Sequence, residues 1–216
     1  MGDRVRPVAV LGAGGHARVV AEALVLSGRR LAGYVAPVAE GRTHPLLGSW
    51  LGTDDIISDL VGAGHDLALG LGFVDSAGAK LRSAILAALD PARLSVVCHP
   101  AASVSAFAHL APGTVVCAGA VVSVGAALDE GVLINSGAVV DHDCQVGANT
   151  HVAIGAHLAG SVHVGRDVLV GAGAVVRQGI RIGDSAVIGA GSVVIRDVPA
   201  GVTVCGIPAR VPKSGV

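Results

Sequence analysis

From Val104 onward the chain places Val, Leu or Ile at every sixth position: Val104, Leu110, Val116, Val122 and so on to Ile188 and Val194. Sixteen such hexads follow one another without a slip, the last running to Pro199. Four residues after each aliphatic position stands Ala, Ser, Thr or Val, as in Ala108, Thr114, Ala120 and Ala126, with Cys144 and Ile180 as the departures. Gly recurs just before it, at Gly113, Gly119, Gly125, Gly131 and Gly137. A period of six fits neither the 3.6 repeat of an α-helix nor plain alternation. It is the period of a parallel β-helix, in which each hexad forms one short strand and one turn. Three hexads then close a triangular coil. The aliphatic residue is expected to point inward and stack on its equivalent one coil away. The small residue is expected to let the chain turn the corner, with Gly or Asn where φ is positive.

Ahead of the hexads the pattern changes. Val8–Gly12 is a short apolar run that reads as a buried strand, and Gly12-Ala-Gly-Gly-His16 is a tight glycine turn. His16 to Gly28 has helical spacing, with Val19, Val20, Ala23 and Leu24 apolar and Gly28 as a stop. Leu31–Val35, Asp66–Gly70 and Leu94–Val97 read as further strands, and Thr53–Val61 and Ser76–Leu89 as helices, the first capped by Thr53 or Asp54. Strands alternating with helices imply a parallel sheet of Rossmann type, here only half-size. The fold class expected is therefore an α/β half-Rossmann domain over residues 1–99, followed by a parallel β-helix of hexapeptide repeats over residues 100–216. The junction falls at His99-Pro100. The Gly/Pro-rich tail Ala200–Val216, with Arg210 and Lys213, is expected to pack over the end of the coil.

Composition fits that reading. Apolar residues make up 52% of the 216, but aromatics only 2%, as suits a narrow interior filled by stacked aliphatics. A net charge of −1 argues against nucleic acid or a polybasic membrane contact. Cys98, Cys117, Cys144 and Cys205 form no CxxC pair, which suits reduced thiols in the cytoplasm. Met1–Pro7 contains no apolar core of a secretory signal. Leu94–Leu128 lacks Asp, Glu, Lys and Arg, yet it carries Pro100, Pro112, His99 and His109 and keeps the six-residue period, so it reads as coil and not as a membrane span.

Three features could carry chemistry. Gly12-x-Gly14-Gly15, between a strand and a helix, suits a phosphate held by backbone N–H groups at the helix start, or a purely structural turn. Ala17 replaces the last Gly of a dinucleotide fingerprint, and Ala36 and Pro37 stand where an acid would hold a ribose, which argues against NAD. His151, His157 and His163 are six apart, so successive ones fall on different faces of a triangle, and one chain cannot bring all three to one metal. Asp141-His142-Asp143 interrupts a small, apolar run. A His beside carboxylates is the usual arrangement of a general base; a solvated acidic turn is the other reading, and the residues alone leave both open.

Taken together, the quoted stretches resemble one family, the nucleotide-sugar acetyltransferases of left-handed β-helix type. It includes GDP-perosamine and bacillosamine-pathway N-acetyltransferases and sialic-acid O-acetyltransferases. The resemblance spans nearly the whole chain and rests on Gly12–His16, His99–Val104, Ile134–Asp143, His151–Gly160 and Gly206–Arg210. It implies a left-handed coil, a homotrimer, and acetyl-CoA lying in the groove between two coils, with no metal. It implies His142 as the base and Asp143 as its orienting acid. His151 would lie near acetyl-CoA, with Gly160, Ala172 and Ala190 along the pantetheine path. Gly14, Gly15 and His16 would hold the diphosphate of the nucleotide sugar, with Gly70, Leu71, Gly72 and Arg82 on the same substrate. Uridine-using relatives often carry an acidic pair where Ala36 and Pro37 stand, which favours a guanosine-linked amino sugar, GDP-perosamine above others. A UDP-linked 4-amino sugar, O-acetylation, a γ-class carbonic anhydrase and a purely structural solenoid are the alternatives.

Overall fold

The computed structural model describes residues 6–39 and 43–212. Lys213 of the tail and most of Met1–Pro7 lie outside the described residues. The N-terminal part is a parallel sheet flanked by helices. Its strands are β1 (Val8–Leu11), β2 (Leu31–Val35), β3 (Thr43–His44), β4 (Gly48–Gly52) and β5 (Asp66–Leu69), in the spatial order β3-β4-β2-β1-β5. All pair in parallel except the short β3, which is antiparallel to β4. Helix α1 (Gly15–Leu26) packs Ala17, Val20, Ala21 and Leu24 against one sheet face, together with Val8, Val10 and Tyr34. Helices α2 (Ile57–Gly62) and α3 (Ser76–Ala87) belong to the other side, where Ala9, Leu11, Val35, Leu67 and Leu69 form a second cluster. Gly28 ends α1 at φ +73°, and the N–H groups of Gly28 and Arg29 close on Val25 and Leu24 carbonyls, a C-cap that the Gly stop signals.

The half-Rossmann sheet is as expected, with three differences. The run Gly48–Gly52 forms a strand, β4, that carries no alternation strong enough to reveal it. The helix expected from Thr53 is split into a 3₁₀ turn at Asp54–Ile56 and α2, and Thr53 makes no side-chain cap bond. The expected fourth strand, Leu94–Val97, is not one: Leu94 bridges Leu67, whereas Val97–Cys98 pairs with Val115–Val116 as the first rung of the coil. Both runs are apolar, and the period of two cannot tell which sheet an apolar run will join.

The rest is a parallel β-helix of two-residue strands. Partners are eighteen residues apart, as in Val121↔Val139 and Val139↔His157. The strands stack into three faces. The first runs from Ser103–Val104 to Val193–Val194, the second from His109–Leu110 to Arg181–Ile182, and the third from Val97–Cys98 to Thr203–Val204. The aliphatic position points inward throughout: Val116, Leu128, Ile134, Val152, Val170 and Ile188 are all fully buried. The small residue four places on does not turn the corner; it too faces the interior, as Ala120, Ala138, Ala156 and Ala174 show. The turn is made one residue earlier, in the left-handed region, by Gly or, at five corners, by Asp143, Asn149, Ser161, Asp167 and Ser185; the first and last hexads, with Phe107 and Asp197 there, are the exceptions. Two buried residues per hexad explain why the interior needs one large and one small side chain. Each aliphatic so buried contributes about 1.5–3 kcal/mol. At the far end Ala209 packs against the core and its N–H bonds to Val193, so the described part of the tail does cover the coil.

Candidate active site

The three faces differ in what covers them. The third face carries Val115, Leu133, His151 and Leu169 outward, all buried, with Val115 and Leu133 packed in the cluster under α1. The second is polar, with His109, Gln145 and Arg181 exposed. The first carries Val121, Val139, His157, Val175 and Val193, with Val175 40% exposed. The sheet domain thus sits on the third face, and two clefts open where they meet.

One cleft, of about 410 Å³, is lined by Gly14, Gly15, His16, Gly70, Leu71 and Gly72 from the sheet domain and by Leu133, Asn135 and His151 from the coil. The other, also about 410 Å³, runs along the coil past Ala153, Ile154, Leu169, Ala172, Val187 and Ala190. Phe73, Val74, Asn135 and His151 belong to both, so the two clefts share a wall. The first ends at the N-terminus of α1, where Gly14 is the N-cap without a side-chain partner. Neither Gly14 nor Gly15 has a positive φ, and a Cβ at Gly14 would meet nothing within 4 Å. Packing therefore does not demand glycine there; unobstructed N–H groups facing an open cleft suit an anion. Gly70 is different, since a Cβ there would strike Val10, Leu11 and Ala17.

The shared wall is tightly fixed. His151 is 6% exposed; its Nδ1–H donates to the Phe73 carbonyl (2.8 Å), and its ring meets Phe73 edge to face at 5.4 Å. A carbonyl only accepts, so Nε2 of the neutral ring accepts from Asn135 Nδ2 (3.1 Å). Asn135 Oδ1 in turn accepts from the Ser136 N–H. Burial lowers the His151 pKa, opposed by the bond to Phe73 and helped by Arg82. His16 is pushed down to about 4, first by burial and then by the charges of Arg82 and His151; its Nε2 is buried with no partner among the described residues.

Arg82 does not line the cleft. It is 1% exposed, and Nε donates to the Leu71 carbonyl (2.7 Å) while Nη1 donates to the Gly131 carbonyl (2.7 Å) and to Asn149 Oδ1 (2.5 Å). Asn149 Nδ2 donates on to the Ala79 carbonyl and to Asp167. Arg82 thus ties α3 and the 71–74 loop to a corner of the coil, which a substrate-binding reading does not anticipate. Burial lowers its pKa to about 10, so it stays charged.

His142 and Asp143 lie elsewhere, on the corner between the first and second faces, whereas the clefts follow the corner between the third and first. His142 Nδ1 donates to Asp143 Oδ2 (2.9 Å), and Asp141 Oδ1 accepts the His142 N–H (2.7 Å). This leaves Nε2 as the free lone pair. The bond to Asp143 raises the pKa of His142; slight desolvation opposes it, and the charges of Asp141 and Asp143 add to it. Two glycines make room for the pair. A Cβ at Gly160 would overlap the imidazole at Nε2 and Cε1, and one at Gly125 would overlap Asp143 Oδ1. Gly160 is therefore beneath His142 and not in the cleft that holds Ala172 and Ala190. Sequence reasoning missed Gly125, Asn135, Phe73 and Leu133; only Asn135 carried a signal, as the polar residue after Ile134. His151, His157 and His163 stand on the third, first and second faces respectively, and among the described residues no three His, Cys, Asp or Glu form a metal-binding group. No helix of the described residues is long and apolar enough to cross a membrane.

A family model described as bacterial transferase hexapeptide (six repeats) matches residues 161–196. No curated protein sequence matches the chain. Among solved structures, the acetyltransferase domain of PglB from Neisseria gonorrhoeae is similar with a TM-score of 0.84 and 34% identity, over 96% of this chain and 100% of that one. The same domain has been solved with acetyl coenzyme A. PerB from Caulobacter crescentus, in complex with CoA and GDP-perosamine, matches with a TM-score of 0.83 and 34% identity, over 97% and 98% of the two chains.

Proposed function

Since the chain belongs to the nucleotide-sugar acetyltransferases of left-handed β-helix type, we propose that its acceptor is the C4 amino group of a GDP-linked 4-amino-4,6-dideoxy sugar, GDP-perosamine above others. The reaction class is an acetyl-CoA-dependent sugar N-acetyltransfer. One observation carries the reading: an anion-ready cleft at the start of α1 and an apolar groove along the coil share a single wall at His151 and Asn135. The diphosphate is assigned to Gly14, Gly15 and His16, and the pantetheine arm to the groove past Ala172 and Ala190. The guanosine preference is supported by the GDP-perosamine bound to PerB and by Ala36 and Pro37, which offer no carboxylate.

The neutral sugar amine attacks the thioester carbon, forming the C–N bond and a tetrahedral oxyanion. His142 Nε2 takes a proton from the ammonium as Asp143 holds the ring and favours the imidazolium. The C–S bond then breaks, and the coenzyme thiolate takes that proton back from His142 to leave as CoA. In one chain the first face separates His142 from the clefts, so the reaction needs a neighbouring copy to present its His142 corner. Exposed apolar residues on that corner, Phe107 (81%) and Val124 (54%), favour such an assembly, a cyclic trimer. The free thiols of the four cysteines support assigning the enzyme to the cytoplasm. Incubating it with acetyl-CoA and GDP-perosamine should release CoA and give a product one acetyl heavier that resists hydroxylamine. Turnover of a UDP-linked 4-amino sugar with none of GDP-perosamine would refute the substrate, and an active monomer by sedimentation would refute the trimer.

A further inference from the structure

The nucleotide reading leaves the base unaccounted for, and β4 supplies a residue for it. In parallel sheets of this kind a nucleotide lies across the carboxyl ends of the strands, with its nucleoside beyond the second strand. Here that end is Ala36-Pro37-Val38, and it is apolar: Ala36 is buried, Pro37 is exposed and Val38 is 74% exposed. Beside it lies Trp50, the one tryptophan of the chain. Trp50 pairs with Tyr34 in the β4–β2 register, so it points to the same side of the sheet as α1. Its indole Nε1–H donates to the Ala36 carbonyl (3.0 Å), which fixes the ring against the end of β2. With its only side-chain polar group satisfied, Trp50 still stands 37% exposed. An anchored, uncovered indole at the place where a carboxylate would otherwise hold the ribose is a stacking surface.

Resting on the nucleotide-sugar reading above, we infer that Trp50 is the platform on which the nucleobase stacks. The base is then held by its π-face and not by a ribose–carboxylate bond, with Val38 as the flanking apolar contact. Because Trp50 is the sole tryptophan, its emission reports the contact directly. GDP and UDP are titrated into the protein with fluorescence and calorimetry side by side, and CoA serves as the control ligand. Saturable quenching is expected with nucleotide and not with CoA. Base–aromatic stacking sets the expected loss: Trp50→Ala should weaken nucleotide binding about 5- to 100-fold, Trp50→Phe should restore most of it, and CoA affinity should not move. If calorimetry shows nucleotide bound by wild type while the emission is unchanged, or bound equally well by Trp50→Ala, the platform is overturned and the nucleotide-sugar reading stands. If neither nucleotide binds wild type while CoA does, both fall together.

Discussion

Gly160→Ala is the smallest change that tests how the candidate base is seated. The new methyl would occupy the space of His142 Nε2 and Cε1, and would lie 2.9 Å from Cδ2. The ring is half-exposed and can swing away, so the fold should survive; Gly160 has no positive φ, and an alanine there reduces the freedom of the unfolded chain. What the ring cannot do is swing and keep its 2.9 Å bond to Asp143. The variant should therefore melt at or near the wild-type temperature yet lose much of its base catalysis. General-base catalysis contributes about 10²–10⁴-fold, and a displaced base forfeits part of that, so a fall in kcat of about 10- to 100-fold is expected. The pH profile is more specific. The wild-type pKa is raised chiefly by the Asp143 bond, so the acid limb of kcat/KM should lie above the ordinary histidine value. Breaking the bond should move the limb to lower pH as the rate drops. Steady-state kinetics from pH 5 to 9 would measure both. A wild-type kcat with an unmoved limb would refute the seating argument. A raised acetyl-CoA KM with kcat intact would assign Gly160 to the pantetheine path instead.

Val170→Asp places a carboxylate in a fully buried stack at a cost above about 4 kcal/mol, and should give insoluble or non-cooperatively melting protein; a soluble, cooperative variant would refute the inward assignment. Arg82→Met removes three charged hydrogen bonds, one to Leu71 of the 71–74 loop and two to the coil at Gly131 and Asn149, and should cost about 2–4 kcal/mol in denaturant unfolding while raising the nucleotide-sugar KM; unchanged KM would separate the clamp from the cleft. His16 is held neutral down to about 4, so the unfolded chain binds a proton that the folded chain refuses. Its contribution is complete above pH 6.5 and is lost as pH falls from there towards 4. His16→Gln should flatten the fall of Tm over that window; an unaltered slope would refute it.

The coil was legible because its signal is repeated: sixteen aliphatic positions in one register leave a single reading. The sheet domain was legible in outline, but β4 and the fate of Leu94–Val97 were not, because short apolar runs do not say which sheet they complete. The site residues divide in the same way. Gly14 and Gly15 lie where a glycine turn before a helix implies. The bond between His142 and Asp143 follows from adjacency. Neither the Arg82–Asn149 clamp nor the bond from His151 to Phe73 could be read, since they join residues 67 and 78 positions apart. Nor could the glycines under His142 and Asp143, whose meaning appears only when one coil is laid on the next. Asn149, Asp143 and Asp167 share one backbone signature, a left-handed turn where most corners use Gly, and each has its side chain engaged. That departure from Gly in the turn column is the sequence signal these three residues carry.

The wall formed by Phe73, Val74, Asn135 and His151 has a thermodynamic consequence. If the two clefts hold nucleotide sugar and coenzyme as proposed, a surface that bounds both cannot be adjusted for one without altering the terms offered to the other. If nucleotide sugar tightens the Phe73–His151 contact, coenzyme affinity must change by some factor, and by linkage the coenzyme must change nucleotide affinity by the same factor. The coupling between the two substrates is then a property of a four-residue wall and not of either cleft alone. Variation in acceptor specificity among relatives should therefore surface as variation in coenzyme affinity, even where every residue along the groove is unchanged.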